Sequence, residues 1–218
     1  MGELILLLVP EMIGLVITPA AIVGCVLLLQ SRRPIASAAS FGAAFVLVYA
    51  QVGVAALLGG ASDPSSTSKT VAHWAGLVVG LVFLGLGARA ALHRRPADAP
   101  PPKLLTQLES AGPRQAFMAG LVMAIINPNL VIMMSGMSLI ASSQTTTISA
   151  LVATLLLILA AALDFLIPIA IYLVLGERAR RGLESAKRWM LRNNRSMTIT
   201  VLLGFGVLFT ARGIANLT

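Results

Sequence analysis

Residues 4–30 read LILLLVPEMIGLVITPAAIVGCVLLLQ, an apolar run in which Glu11 is the one charged side chain. A helix needs about 20 mostly apolar residues to cross the roughly 30 Å hydrocarbon core of a bilayer, and this run exceeds that length. Its second half opens on Thr18-Pro19. Proline lacks a backbone N–H and leaves the carbonyl one turn earlier without its donor. In hydrocarbon that carbonyl must find another partner. The stretch therefore predicts a membrane-spanning helix broken near its middle.

Five further runs have the same character, at about 36–60, 71–92, 114–142, 147–175 and 197–216. Composition agrees with them. Of the 218 residues, 57% are hydrophobic and only 11% charged, with a mean hydropathy of +0.90. Water-soluble domains carry about 25% charge, and disordered chains are the reverse of this one. The expected fold is an all-α integral membrane protein with six transmembrane helices. A single cysteine, Cys25, excludes a disulfide framework and a CxxC redox pair. His73 and His93 stand far apart, so neither a metal nor a cofactor is expected. Met1-Gly2-Glu3 lacks the positive start of a secretory signal.

The net charge of +8 would suggest nucleic acid in a soluble protein. Here the basic residues cluster in short loops, and no nucleic-acid partner is expected. Arg32 and Arg33 lie in loop one. Arg89, Arg94, Arg95, Lys103 and Arg114 flank or occupy loop three, and Arg178, Arg180, Arg181, Lys187, Arg188, Arg192 and Arg195 occupy loop five. Of the 16 basic residues, only Lys69 and Arg212 fall on the other side. Basic loops stay in the cytoplasm, so both termini are expected outside the cytoplasmic membrane. Loop five also reads as a basic helix over 177–192, with Leu183, Ala186 and Met190 on one face and Trp189 beside them. Such a helix lies in the headgroup layer or is simply solvated.

The first and fourth spans match around proline. Leu15-Val16-Ile17-Thr18-Pro19-Ala20 aligns with Ala124-Ile125-Ile126-Asn127-Pro128-Asn129 at an offset of 109 residues, half the chain. Three spans per half would insert the halves in opposite orientations, and matching broken helices in inverted repeats mark secondary transporters. The domain reading is a first three-helix repeat over 1–95, a cytoplasmic proline-rich linker over 96–113 and a second repeat over 114–218. Thr18, Asn127 and Asn129 supply polar groups at the breaks, either to satisfy freed carbonyls or to face a substrate cavity. Thr18, Pro19, Asn127, Pro128 and Asn129 are accordingly the candidate substrate-binding residues.

Two carboxylates fall within apolar spans, and such groups line a cavity or find a partner. Asp164, near the middle of the fifth span, is the candidate proton carrier, or else a hydrogen-bonded structural aspartate. Glu11 is the second candidate, with pairing to Arg212 as its alternative. Gly76, Gly80, Gly85 and Gly87 in the third span, with Gly204, Gly206 and Gly213 in the sixth, suit close helix approach. Tyr49 and Gln51 are candidates for a polar cluster in the second span.

The Thr18-Pro19 break, the basic loop Ser31-Arg32-Arg33-Pro34, the Ala/Gly-rich second span and Gly120 to Asn129 together resemble the LysE-type exporter superfamily. Within it, the long proline-bearing loop three and Asn127-Pro128 are most similar to the actinobacterial GAP family of glycolipid- and sulfolipid-addressing proteins. The resemblance implies export of a cell-envelope glycolipid or similar amphiphile, a lipid or glycolipid as partner, and a homodimer. Amino-acid exporters of the superfamily carry a Pro-Gly-Pro signature where this chain has Pro19-Ala20-Ala21, which disfavours amino-acid export. Its thiol-transfer relatives need paired cysteines, which this chain lacks. No P-loop is present, so an ion gradient or a partner pump would supply energy. A small-solute exporter of amino acids or cations, and an accessory subunit of a larger lipid-export pump, stand as alternatives. An enzyme is not expected.

Overall fold

The structure, a computed structural model, describes residues 2–60, 66–92, 108, 110–143 and 145–215. His93 of the expected first repeat, and Pro100 to Pro102 and Lys103 of the expected linker, lie outside the described residues. Among the described residues there are eight helices and no strand: α1 (Gly2–Val16), α2 (Pro19–Leu28), α3 (Pro34–Gly60), α4 (Ser66–Leu92), α5 (Pro113–Ile126), α6 (Asn129–Ser142), α7 (Thr147–Leu175) and α8 (Glu177–Ala215).

Among the described residues, three segments are long and apolar enough to cross a membrane by themselves: Pro34–Leu58, Thr147–Leu175 and Arg195–Ala215. Two more spans arise if each bent pair counts as one. α1 and α2 meet at 47°, and α5 and α6 at 63°. Both expected breaks are therefore present, each at its proline. The expected third span at 71–92 falls within α4, whose Gly80–Leu92 portion is apolar but short. This is a helical membrane protein.

Local signals explain several helix ends. α2, α3 and α5 each begin on proline, whose fixed φ and missing donor suit a first helical position. The Gly112 N–H donates to Gln115 Oε1 (3.2 Å) before α5. Thr146 caps α7 by accepting from the Ser149 N–H (3.3 Å). Gly176 ends α7 at φ 52°, a left-handed conformation open to glycine at little cost, and its N–H donates to the Tyr172 carbonyl (2.8 Å).

One expectation is corrected at loop five. The basic segment 177–192 is not a separate helix but the first part of α8, a single helix of 39 residues. At 1.5 Å per residue it runs about 58 Å, well beyond a bilayer's hydrocarbon core. Nothing in 177–215 breaks it, since the segment holds no proline. The polar half is anchored by side chains. The Arg195 guanidinium donates to the Ala90 (3.2 Å) and Ala91 (2.8 Å) carbonyls at the end of α4, and Lys187 Nζ reaches Gln30 Oε1 (3.4 Å). Of its expected apolar face, Leu183 is buried and Met190 half-buried, whereas Ala186 is exposed.

α3 sits against α5, α6 and α7, and α4 runs along α8. Phe41, Phe45 and Phe165 form the aromatic centre of the first group, with ring centroids 5.0–5.7 Å apart. Tyr49 belongs to this stack through Phe45 and Gln51 is exposed, so the polar cluster expected in the second span does not form. The α4–α8 seam is closed by glycines. A Cβ at Gly80 would lie 2.5 Å from the Thr210 backbone nitrogen, and one at Gly206 would lie 2.9 Å from that of Leu84. Gly85 and Gly204 face open space instead; their spacing resembled that of the packing glycines, but they lie on other faces of their helices.

Several of the other contacts recur in pairs, although those of α1 with α6, α7 with α8 and α5 with α6 have no comparable counterpart among the described residues. α1 packs on α7 and α5 on α3; α2 packs on α7 and α6 on α3; α2 meets α8 and α6 meets α4; α2 meets α3 and α6 meets α7.

Candidate functional site at the two helix breaks

The two proline breaks meet inside the protein. In an uninterrupted helix the Gly14 and Leu15 carbonyls would accept from residues 18 and 19. Pro19 has no N–H to give, and Thr18 leaves helical geometry at φ −111°, ψ 86°. The missing donors come from the other break. Asn129 Nδ2 donates to the Gly14 carbonyl (3.2 Å) and lies 3.5 Å from that of Leu15. It also donates to Thr18 Oγ1, while the Thr18 hydroxyl reaches the Leu15 carbonyl (3.2 Å). Asn129 itself is held by the turn that precedes it, its N–H donating to Asn127 Oδ1 (3.0 Å).

Asp164 completes the cluster from α7. The Asp164 carboxyl group lies near Thr18, whose hydroxyl donates to the Leu15 carbonyl. Pro168, one turn further along the same helix, withholds the N–H that the Asp164 carbonyl would otherwise accept. Thr18 and Asp164 are 4% exposed and Asn129 is 2% exposed, so these groups are shielded from water. Asp164 Oδ1 finds no hydrogen-bond partner among the described residues. Such an atom is costly to bury; Glu11 Oε2, Gln30 Nε2, Ser31 Oγ and Thr210 Oγ1 are buried without a partner in the same way.

The sequence-predicted residues thus divide. Thr18, Asn129 and Asp164 come together, with Pro19 buried beside them. Asn127 is half-buried and works within its own break, and Pro128 is exposed. Glu11 lies seven residues before Thr18, about 10 Å along α1, in a separate cluster. It pairs with Arg212 of α8, as its alternative reading had it, and Ser135 of α6 donates to Glu11 Oε1 (3.4 Å). Glu11 is fully buried and Arg212 27% exposed. Ser135 and the Gly14 and Leu15 carbonyls escaped sequence reasoning. A backbone acceptor carries no residue signature, and Ser135 is one hydroxyl among the methionines of its span. Cys25 is buried in the core, its Sγ 4.0 Å from the Phe165 carbonyl.

Fold and site together define a helical membrane protein in which two bent helix pairs meet at a buried cluster of hydrogen-bonding groups. A family model described as Sap, sulfolipid-1-addressing protein, matches residues 8–215. No curated protein and no solved structure matches the chain. The chain belongs to the sulfolipid-1-addressing protein family.

Proposed function

We propose that this protein assists export of a cell-envelope glycolipid, or a similar amphiphile, across the cytoplasmic membrane. The observation that carries the proposal is Asn129 joining the two breaks beside Asp164. Broken helices with free backbone groups at mid-membrane are how secondary transporters build substrate sites. The family's lipid-addressing description and the likeness to LysE-type exporters both point the same way.

In this reading α4 is the third span, which brings the number to six, and the chain is two inverted three-span repeats with α1 to α4 corresponding to α5 to α8. The paired contacts support it: exchanging the halves turns α1–α7 into α5–α3, α2–α7 into α6–α3, and α2–α8 into α6–α4. Both termini face outside, as the distribution of basic residues requires. A cleft of about 560 Å³ beside α5, bounded by Arg114, Met118 and Val122, offers a cation next to apolar surface, which suits an amphiphile entering from the cytoplasmic leaflet.

Asp164 supplies proton coupling. The Thr18 hydroxyl has one proton to donate. An ionised Asp164 draws it, and a protonated Asp164 releases it to the Leu15 carbonyl. The charge state at Asp164 thereby reaches the broken helix directly. Asp164→Asn keeps the shape and removes the titration. Glycolipid export by this variant is expected to lose its dependence on the pH gradient, measured as surface glycolipid under an imposed gradient.

Native mass spectrometry with lipid identification tests the site. Wild-type protein is expected to retain an envelope glycolipid that Asn129→Ala releases. Bulk phospholipid alone, equal in both proteins, would sink the reading. An accessory role beside a larger lipid-export pump is favoured by one feature, the 57% exposed Trp189 on the basic half of α8. Co-purification of such a pump, lost in Trp189→Ala, would select it.

A further inference from the structure

One groove in the molecule is lined entirely by apolar side chains. It has a volume of about 280 Å³ and lies between residues 12–17, at and just beyond the end of α1, and 156–163 of α7. Ala160 forms its floor, where a larger side chain would have filled it, and Ile13 and Leu159 stand exposed at its edges. Both segments are central in their spans, so the groove opens to the hydrocarbon of the membrane and not to water. The next residues along the two segments are Thr18 and Asp164. Asp164, with its unpartnered Oδ1, stands one turn beyond Ala160 on the same face of α7, so the buried polar cluster follows the groove without lining it.

We propose that this seam holds one acyl chain of the cargo amphiphile, with the chain lying against Ala160 and the adjoining polar part of the molecule directed to Thr18 and Asp164. The proposal rests on the lipid reading above and locates the cargo within it. Volume decides how much of the cargo fits. Pockets that enclose a whole drug-sized ligand measure about 300–1,000 Å³, so this groove takes a single chain and not an entire glycolipid. A cavity of about 150 Å³ holds one benzene, which scales to a chain segment on the order of ten carbons. The occupant is hydrocarbon because the lining offers no polar group. It is the chain of an amphiphile, and not bulk lipid tail, because hydrogen-bonding groups withdrawn from water follow the groove.

The probe is phosphatidylglycerol with one diazirine-bearing acyl chain, in vesicles containing the purified full-length protein, with cross-linked peptides mapped by mass spectrometry. Label is expected to concentrate on residues 12–17 and 156–163. Leu159→Trp and Ile13→Trp, two exposed positions that fill the groove from opposite walls, are expected to abolish it. Val207→Trp, on an exposed face of α8, should leave it unchanged. Label spread evenly over the exposed faces of α3, α7 and α8 overturns the proposal, as does seam label that persists in both groove variants. Native mass spectrometry of the same proteins separates the two readings. Glycolipid retained by Leu159→Trp after seam label is lost overturns the seam as the cargo's place and leaves lipid export standing. Seam label in wild type with glycolipid retained by none of the proteins supports an acyl-chain seam and overturns the export reading.

Discussion

Replacing Asn129 by alanine removes the donor shared by Gly14, Leu15 and Thr18. A buried acceptor left without a partner costs about 1–3 kcal/mol, and that loss is expected in reversible unfolding in mixed micelles. Thr18→Val and Asn129→Ala touch one network, so their costs should fall short of additivity in a double-mutant cycle. At the outer cluster the sign of the effect depends on which partner goes. Arg212→Leu strands the fully buried Glu11, and breaking a buried pair in this way costs about 3–5 kcal/mol. Arg212's partial exposure puts the expected value at the lower end. Glu11→Gln combined with Arg212→Leu should recover much of that loss, because no buried charge remains. The prolines and the polar residues beside them were readable in the sequence, since both the missing donor and the need to replace it follow from residue type. The choice of donor was not readable, because it depends on how two distant segments cross.

Helix continuity shows where element boundaries escape a hydropathy reading. The boundary near residue 195 separates basic from apolar sequence, and it suggests an end. A helix ends, however, where its hydrogen bonds are interrupted, and nothing interrupts them between Glu177 and Ala215. The two breaks were legible for the same reason: at Pro19 and Pro128 the interruption is written into the residue. Glycines in α4 and α8 divide by what lies opposite them. Gly206→Leu would drive a side chain into the Leu84 backbone, and overpacking of this kind costs about 1–3 kcal/mol or more. Gly85, by contrast, faces open space. Gly85→Ala is expected to be neutral or to stabilise by up to about 1 kcal/mol, the difference in helix propensity. Thermal melts of the two variants in one detergent check both outcomes.

Across the whole molecule, charge sets the proposed orientation and contacts set the proposed symmetry. Cys25 is wholly buried, so the protein is already suited to single-cysteine labelling. Ser143→Cys, exposed beyond α6, is expected to react with an impermeant maleimide in intact cells. Ser185→Cys, exposed on the basic half of α8, should react only after the membrane is opened. The reverse pattern would invert the proposed topology. Membrane character was legible from composition alone, and the two bends at proline from one short repeat. The crossing of the two breaks needed coordinates, because Asn129 meets Gly14 across 115 residues of chain.

That separation also has a meaning in time. Ribosomes add about 5–20 residues per second, so Gly14 and Leu15 enter the membrane on the order of ten seconds before Asn129 is made. Through that interval the Gly14 carbonyl lacks the donor that Asn129 later brings, and the Leu15 carbonyl has only the Thr18 hydroxyl, so water or the insertion machinery must shelter what is left. The first helix pair completes its hydrogen bonding only with the second half. A chain interrupted before α6 would present an open wound in the lipid, recognisable to membrane proteases, and biogenesis of this protein is complete only when its second half arrives to close the first.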